Sequence, residues 1–169
     1  MIKLGCLLIM TFIISCQNNS NIKMKRDKFI EKYQNENFSE FKNTFICVRQ
    51  NNIIELIYMV GKFEGKLPMY FVTYNIIRSE VTQINKSALK EANIDDYFTD
   101  EEIKSLISNF RKYDFYLLGV DTGNNVFINP YNVNSPPYFL RLKTLTNEKS
   151  IKKGYIYDQY KNNWYINNR

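Results

Sequence analysis

Residues 99–128 constrain the fold more tightly than any other stretch of this chain. Thr99-Asp100-Glu101-Glu102 has capping-box spacing, with Thr at the N-cap and Glu at N3. Asp100 and Glu101 add negative charge at the positive end of the helix dipole. Ile103, Leu106, Ile107 and Phe110 then recur at i, i+3, i+4 and i+7, a single apolar stripe, and Arg111 and Lys112 close the last turn with the complementary sign. The spacing predicts a central amphipathic helix over 99–112. The period then changes. Phe115-Tyr116-Leu117-Leu118-Gly119-Val120 is a continuous apolar run of strand length, expected to be covered on both faces. Asp121-Thr122-Gly123-Asn124-Asn125 is turn chemistry, and Val126-Phe127-Ile128 is the return strand. A helix followed at once by an apolar hairpin excludes an all-α bundle.

The rest of the chain extends this pattern. Residues 22–36 read as a helix whose Phe29, Ile30 and Tyr33 share a face. Residues 38–64 carry two readings. Phe38, Phe41, Phe45 and Val48 suit a helix, whereas Ile53 to Val60 is rich in β-branched residues and reads as a buried strand. A turn over Gly61 to Lys66 leads to a strand from Leu67 to Ile77, so 53–77 is expected to form a hairpin. Residues 86–93 supply one or two helical turns. Tyr138 to Leu142, Tyr155 to Tyr160 and Trp164 to Ile166 complete a set of short strands, with Lys161-Asn162-Asn163 as a tight turn. A helix-rich first half and a strand-rich second half predict an α+β fold. Its N-terminal helical part and central amphipathic helix would pack on an antiparallel sheet or meander.

The N-terminus sets the address. Lys3 precedes an apolar run from Leu4 to Ile14, too short to span a bilayer well, and polar sequence follows. A basic start, a short apolar core and a small residue before the polar stretch describe a secretory signal peptide. Ile13-Ile14-Ser15-Cys16 resembles the lipobox of bacterial lipoproteins, in the version with Ser directly before Cys that is common in Bacteroidetes. Ile13 stands where the usual pattern has Leu, and Ile14 where it has a small residue. The resemblance implies cleavage before Cys16 and acylation of that residue. It therefore implies a signal peptide over 1–15, a lipidated Cys and polar tether over 16–22, and one α+β domain over 23–169. It also implies an exported protein held on the outer or inner membrane through its N-terminal lipid. Multiple acyl chains would anchor it stably. In such lipoproteins an acidic stretch soon after the Cys marks display outside the cell, so the resemblance, with no acidic residue over 17–21, implies a periplasm-facing location.

About 154 residues remain once the first fifteen are set aside, enough to fold without staples. Hydrophobic residues at 44% and charged residues at 24% are ordinary globular values. The net charge of +6 falls to +5 without Lys3. Lys23, Lys25, Arg26 and Lys28 crowd the start of the mature chain, where they form either a solvated helix face or a contact with anionic headgroups. No Arg-rich stripe or nucleic-acid motif accompanies the basic balance, so nucleic acid is not an expected partner. After processing, Cys47 has no cysteine partner; it sits in an apolar run and reads as a buried, inert thiol.

The chemistry-bearing residue types are sparse. Histidine is absent, which removes His triads, His bases and His metal sites. Residues 121–125 lack the further oxygen ligands of a calcium loop and read as a hairpin turn. Asp95, Asp96 and Asp100 to Glu102 form an acidic knot, read as helix-start electrostatics rather than two carboxylates opposed across a cleft. There is no phosphate loop, nucleophile elbow or metal spacing, so neither a cofactor nor a catalytic set is expected. Aromatic content is the remaining unusual feature, with 12 Phe, 13 Tyr and one Trp. Tyr155, Tyr157, Tyr160, Trp164 and Tyr165 cluster near the C-terminus. They form either a recognition surface or a face covering the helix at 99–112.

These readings predict a non-enzymatic lipoprotein of the cell envelope that binds another protein, in the manner of immunity proteins or inhibitors. The alternative is an accessory lipoprotein that binds carbohydrate or a small ligand through Tyr and Trp. A carboxylate-dependent hydrolase ranks third. A concave aromatic groove would favour the second reading, and two carboxylates facing across a pocket the third.

Overall fold

The computed structural model describes residues 22–144, 150–152 and 155–167. Residues 1–21, and with them Cys16 and the lipobox, lie outside that set. The chain divides into two compact units, one ending at Asn37 and one running from Phe38 to Arg169, a boundary the single-domain expectation did not place. In the first unit residues 22–33 form a helix, α1, along which the Phe29 and Tyr33 rings meet at 4.8 Å, one helical turn apart.

The second unit is a mixed α+β fold dominated by one antiparallel sheet. Its strands are β1 (Thr44–Asn51), β2 (Glu55–Lys62), β3 (Tyr70–Asn75), β4 (Glu80–Asn85), β5 (Leu117–Val120), β6 (Val126–Asn129), β7 (Phe139–Arg141), β8 (Ser150–Lys152), β9 (Tyr155–Lys161) and β10 (Trp164–Asn167). Among the described residues the order is β4-β3-β2-β1-β5-β6-β7-β10-β9-β8. The chain runs outward from β1 to β4 as a meander, then returns through α2 (Ser87–Glu91) and α3 (Asp100–Phe110) to place β5 beside β1. The hairpin expected over 53–77 is the β2–β3 pair, with Glu55 opposite Asn75 and Val60 opposite Tyr70.

The helical reading of 38–48 gives way to a strand. Only Ser39–Phe41 forms a turn of 3-10 helix. From Thr44 onward the pattern has period two: Thr44, Ile46 and Val48 are buried on one face, while Phe45, Cys47 and Arg49 point to the other. The two β-branched residues and Thr in alternation fit a pleated surface better than a helix. Among the described residues of the first half, strand therefore outweighs helix.

On the Ile46 face, α3 packs its Ile103, Leu106, Ile107 and Phe110 stripe against the sheet. Phe110 meets the Tyr58 ring edge-on at 5.8 Å, and Arg111 lies 4.0 Å over Tyr74 while donating to the Tyr58 hydroxyl at 3.2 Å. The capping box is formed in full: Glu102 N–H donates to Thr99 Oγ1 and Thr99 N–H to Glu102 Oε2. Lys86 bridges Asp96 and Asp100 at 2.6 and 2.8 Å, so the acidic knot is partly neutralised at the helix start. On the opposite face Phe63, Phe127, Leu140, Leu142, Tyr157 and Tyr165 form a second core, with Phe45 packed against it. The sheet unit thus has a core of its own.

Asparagine shapes the turns. Asn43, Asn93, Asn124, Asn134 and Asn162 all adopt positive φ, the left-handed region that this side chain tolerates better than most.

Candidate functional site

The face of the sheet opposite α3 holds a cleft of about 730 Å³, within the usual range for small-ligand sites. Strand periodicity builds its floor. β1 sends Phe45, Cys47 and Arg49 into it, β2 adds Met59, β5 Leu117 and β6 Phe127. Phe45 lies opposite Gly61 on one neighbour and Gly119 on the other, so no side chain flanks it directly. The β2–β3 connection uses that space: a Cβ on Gly119 would lie 2.4 Å from the Phe63 ring, and one on Gly61 would lie 2.9 Å from Met69 Cγ. Phe63 and Met69 therefore fold down over bare backbone and close one end.

Residues 134–137 make the far wall. That segment is fixed by Asn129, a buried side chain whose Nδ2 donates to the carbonyls of Asn132, Ser135 and Pro136 and whose Oδ1 accepts from the Tyr131 and Asn132 amides. Arg49 Nη1 donates to Asn134 Oδ1 at 2.8 Å, and Asn134 Nδ2 donates back to the Arg49 carbonyl, tying the wall to β1.

The cleft is apolar along its length and basic at the end that holds Arg49. Phe45, Met59, Phe63, Met69, Leu117 and Phe127 supply the apolar surface, and none of the lining residues is a carboxylate. Lys62 sits at the rim with its ammonium 4.3 Å from the Phe98 ring centroid. Cys47 is half-buried in the middle; burial pushes its thiol up to about 11, against a smaller opposing pull from the Arg49 charge. A thiol held so far from ionisation is a weak nucleophile near neutrality. Hydrophobic contact together with one directed charge is the chemistry this arrangement supplies.

The residues singled out in the sequence fall elsewhere. Tyr157, Trp164 and Tyr165 are buried, so they offer no exposed recognition face. Tyr157 and Tyr165 pack into the Phe63 core, on the side of the sheet away from α3, and Trp164 meets Phe139 edge-on at 5.9 Å. The long β2–β3 connection covers what a bare sheet would have exposed. Tyr160 is half-buried near the end of β9, and Tyr155 opens that strand. Asp121 holds a hairpin turn: its carboxylate accepts from the Asn125 backbone and side-chain amides at 2.8 Å each. The cleft residues escape a reading of the sequence because only their alternation marks them, Phe45, Cys47 and Arg49 standing two apart.

Among the described residues no helix is long and apolar enough to cross a membrane, and no group of three or more acidic, Cys or His side chains is placed to hold a metal. No protein-family model, no curated protein and no solved structure matches this chain.

Proposed function

We propose that this protein is an envelope lipoprotein, anchored through Cys16 and facing the periplasm, whose sheet unit binds a small and largely apolar ligand. The observation that carries the reading is the cleft: an apolar channel beside β1, roofed by Phe63 and Met69, with polar groups confined to its rim and end wall. Apolar concave sites with a few placed polar groups are the usual form of small-ligand sites. Carbohydrate fits less well than an aliphatic or aromatic ligand, because a sugar needs hydrogen-bond partners along its length and the floor offers only a thiol between its apolar residues, with Arg49 at one end. In this reading α1 links the anchor to the sheet unit in sequence, and the helix α3, packed on the other face, leaves the cleft side open.

The test is binding of the neutral fluorophore N-phenyl-1-naphthylamine to the wild type and to Cys47→Phe, which fills the middle of the channel. The wild type should bind it, and the variant should lose most of that affinity while keeping its melting temperature. Equal binding by both would refute the assignment of the site. Mass spectrometry of the native protein tests the anchor, with a diacylglyceryl Cys16 as the expected N-terminus.

A second reading, a non-enzymatic protein-binding module of the immunity or inhibitor type, draws on one further observation. Ile53 and Ile77 are 95% and 77% exposed, Ile54 is exposed beside them, and the Ile76 N–H to Ile54 carbonyl bond brings the two loops together. Three exposed isoleucines at one end of a sheet form a patch suited to a partner's surface. Substituting all three with Ser and measuring recovery of a stoichiometric partner from native membranes distinguishes this role from the first.

A further inference from the structure

We infer that the ligand of this cleft is a single aliphatic chain ending in an anion, a carboxylate being the simplest case, with its charged end on Arg49; the inference rests on the small-ligand reading above. The channel is elongated. Phe45 and Arg49 are four residues apart on one strand, about 13 Å at strand rise, and Cys47 lies between them on the same face. Its far end is closed by the Phe63 ring, itself 4.7 Å from Phe127, and its side is lined by Met59 and Met69. Methionine side chains are unbranched and adapt to a flexible partner better than they grip a rigid one. An elongated apolar channel with adaptable walls suits an alkyl chain.

Charge sets the direction. Two basic residues and no acidic one border the cleft, and Arg49 carries its charge on the cleft face, so the site attracts a negative group and repels a positive one. Lys62 lies opposite Thr44, and its ammonium turns to the α3 side, over the Phe98 ring and close enough to Glu102 to favour that carboxylate's charged form. Arg49 makes no ion pair among the described residues, and its side chain donates one hydrogen bond, from Nη1 to the neutral Asn134 amide. That bond holds the guanidinium in place at the channel end and leaves other donors for a planar two-oxygen group, the geometry in which Arg pairs best with carboxylate. The Arg49 charge is felt at Cys47, in the middle of the channel.

Calorimetric titration of residues 17–169, which contain the whole sheet unit with its own core, compares decanoate with decan-1-ol at pH 8, both below their aggregation concentrations. Decanoate should bind with a stoichiometry of one, about tenfold tighter than the alcohol, as a charge-assisted hydrogen bond provides. Arg49→Gln should erase that difference and leave the alcohol's affinity unchanged. Lys62→Gln should keep it. If decanoate and decanol bind the wild type equally, or Arg49→Gln weakens both alike, the inference is overturned while the apolar-ligand reading stands. If neither binds the wild type and N-phenyl-1-naphthylamine does not either, the small-ligand reading itself is overturned, and the anion inference goes with it.

Discussion

Gly119→Ala tests the packing that makes the cleft. Gly119 sits on β5 opposite Phe45 and Phe127, and an added Cβ would lie 2.4 and 2.6 Å from two carbons of the Phe63 ring. Two effects of opposite sign compete. Ala restricts the unfolded chain, which stabilises by about 0.4–1 kcal/mol where the native backbone accepts it, and Gly119 has no positive φ to forbid that. Against this, the extra carbon overpacks a buried site, at about 1–3 kcal/mol. The Phe63 ring cannot swing clear cheaply, because it is 5% exposed and packed on Phe127. Overpacking therefore wins, with a net loss of about 1–2 kcal/mol. For a unit of this size that corresponds to a fall in Tm of roughly 4–8 °C. Thermal and urea unfolding followed by circular dichroism measure it. Phe63→Leu removes the atoms in conflict, so a double-mutant cycle should show Gly119→Ala costing less when Phe63→Leu is already present, with a coupling of about 1 kcal/mol or more. If Gly119→Ala matches the wild type within about 0.5 kcal/mol, or the two changes simply add, Phe63 does not rest on bare backbone and the account of the closed channel end is wrong.

Four further outcomes follow from the same geometry. Thr99→Ala removes the cap from α3 and should cost about 1 kcal/mol in urea unfolding; no change would show that the tertiary contacts of α3 make its cap redundant. The Glu102 carboxyl is held below the usual range, first by the Thr99 backbone N–H, so the stability it contributes is present above the unfolded carboxylate pKa and is lost as pH falls through the lowered folded value. The gap between wild type and Glu102→Gln should accordingly close in acid, and a gap that persisted at about pH 2 would contradict this. Asn129→Leu strips five hydrogen bonds from the 130–137 segment and should cost about 2–3 kcal/mol, and the loosened wall should weaken ligand binding as well; stability unchanged would mean that segment is held by other contacts. With its thiol pushed up to about 11, Cys47 should alkylate at pH 8 roughly a hundredfold more slowly than an unperturbed cysteine, and bound ligand should slow it further. An ordinary rate would show that the cleft is wetter than described.

The parts of the fold visible in the sequence are those whose signals are local. The capping box at Thr99 and Glu102 is a four-residue pattern, and the hydrogen bonds that it implies are made. Leu117 to Val120 reads as covered on both faces because its apolar run is unbroken, and β5 is buried at every position near the centre of the sheet. Residues 38–48 are ambiguous for an equally local reason: phenylalanines at 38, 41 and 45 imitate a helical stripe, yet Phe38 precedes a 3-10 turn that ends at Phe41, and Phe45 belongs to a strand. Only the alternation of Thr44, Ile46 and Val48 separates the two states, and it competes with the aromatic spacing.

The cleft is illegible in the sequence because nothing local encodes it. Its floor takes residues from each of four strands, and which of them share a face is set by register, a property of pairs of strands far apart in sequence. Its roof depends on two glycines, Gly61 and Gly119, that lie opposite the same phenylalanine. In the sequence Gly61 reads as the start of a turn, although β2 runs on through it to Lys62, and Gly119 as a lone Gly inside an apolar strand, by itself a weak point. Only pairing shows that both face the same ring and leave room for Phe63 and Met69 to fold over. The same logic accounts for the aromatic cluster at the C-terminus. Tyr157 and Tyr165 read either as a recognition surface or as a face covering the helix at 99–112, but they do neither: a core that reaches across the sheet from Phe63 covers them. The aromatic abundance of this chain therefore goes into two cores, one on each face of a single sheet, and the site lies where the second core stops short of Arg49.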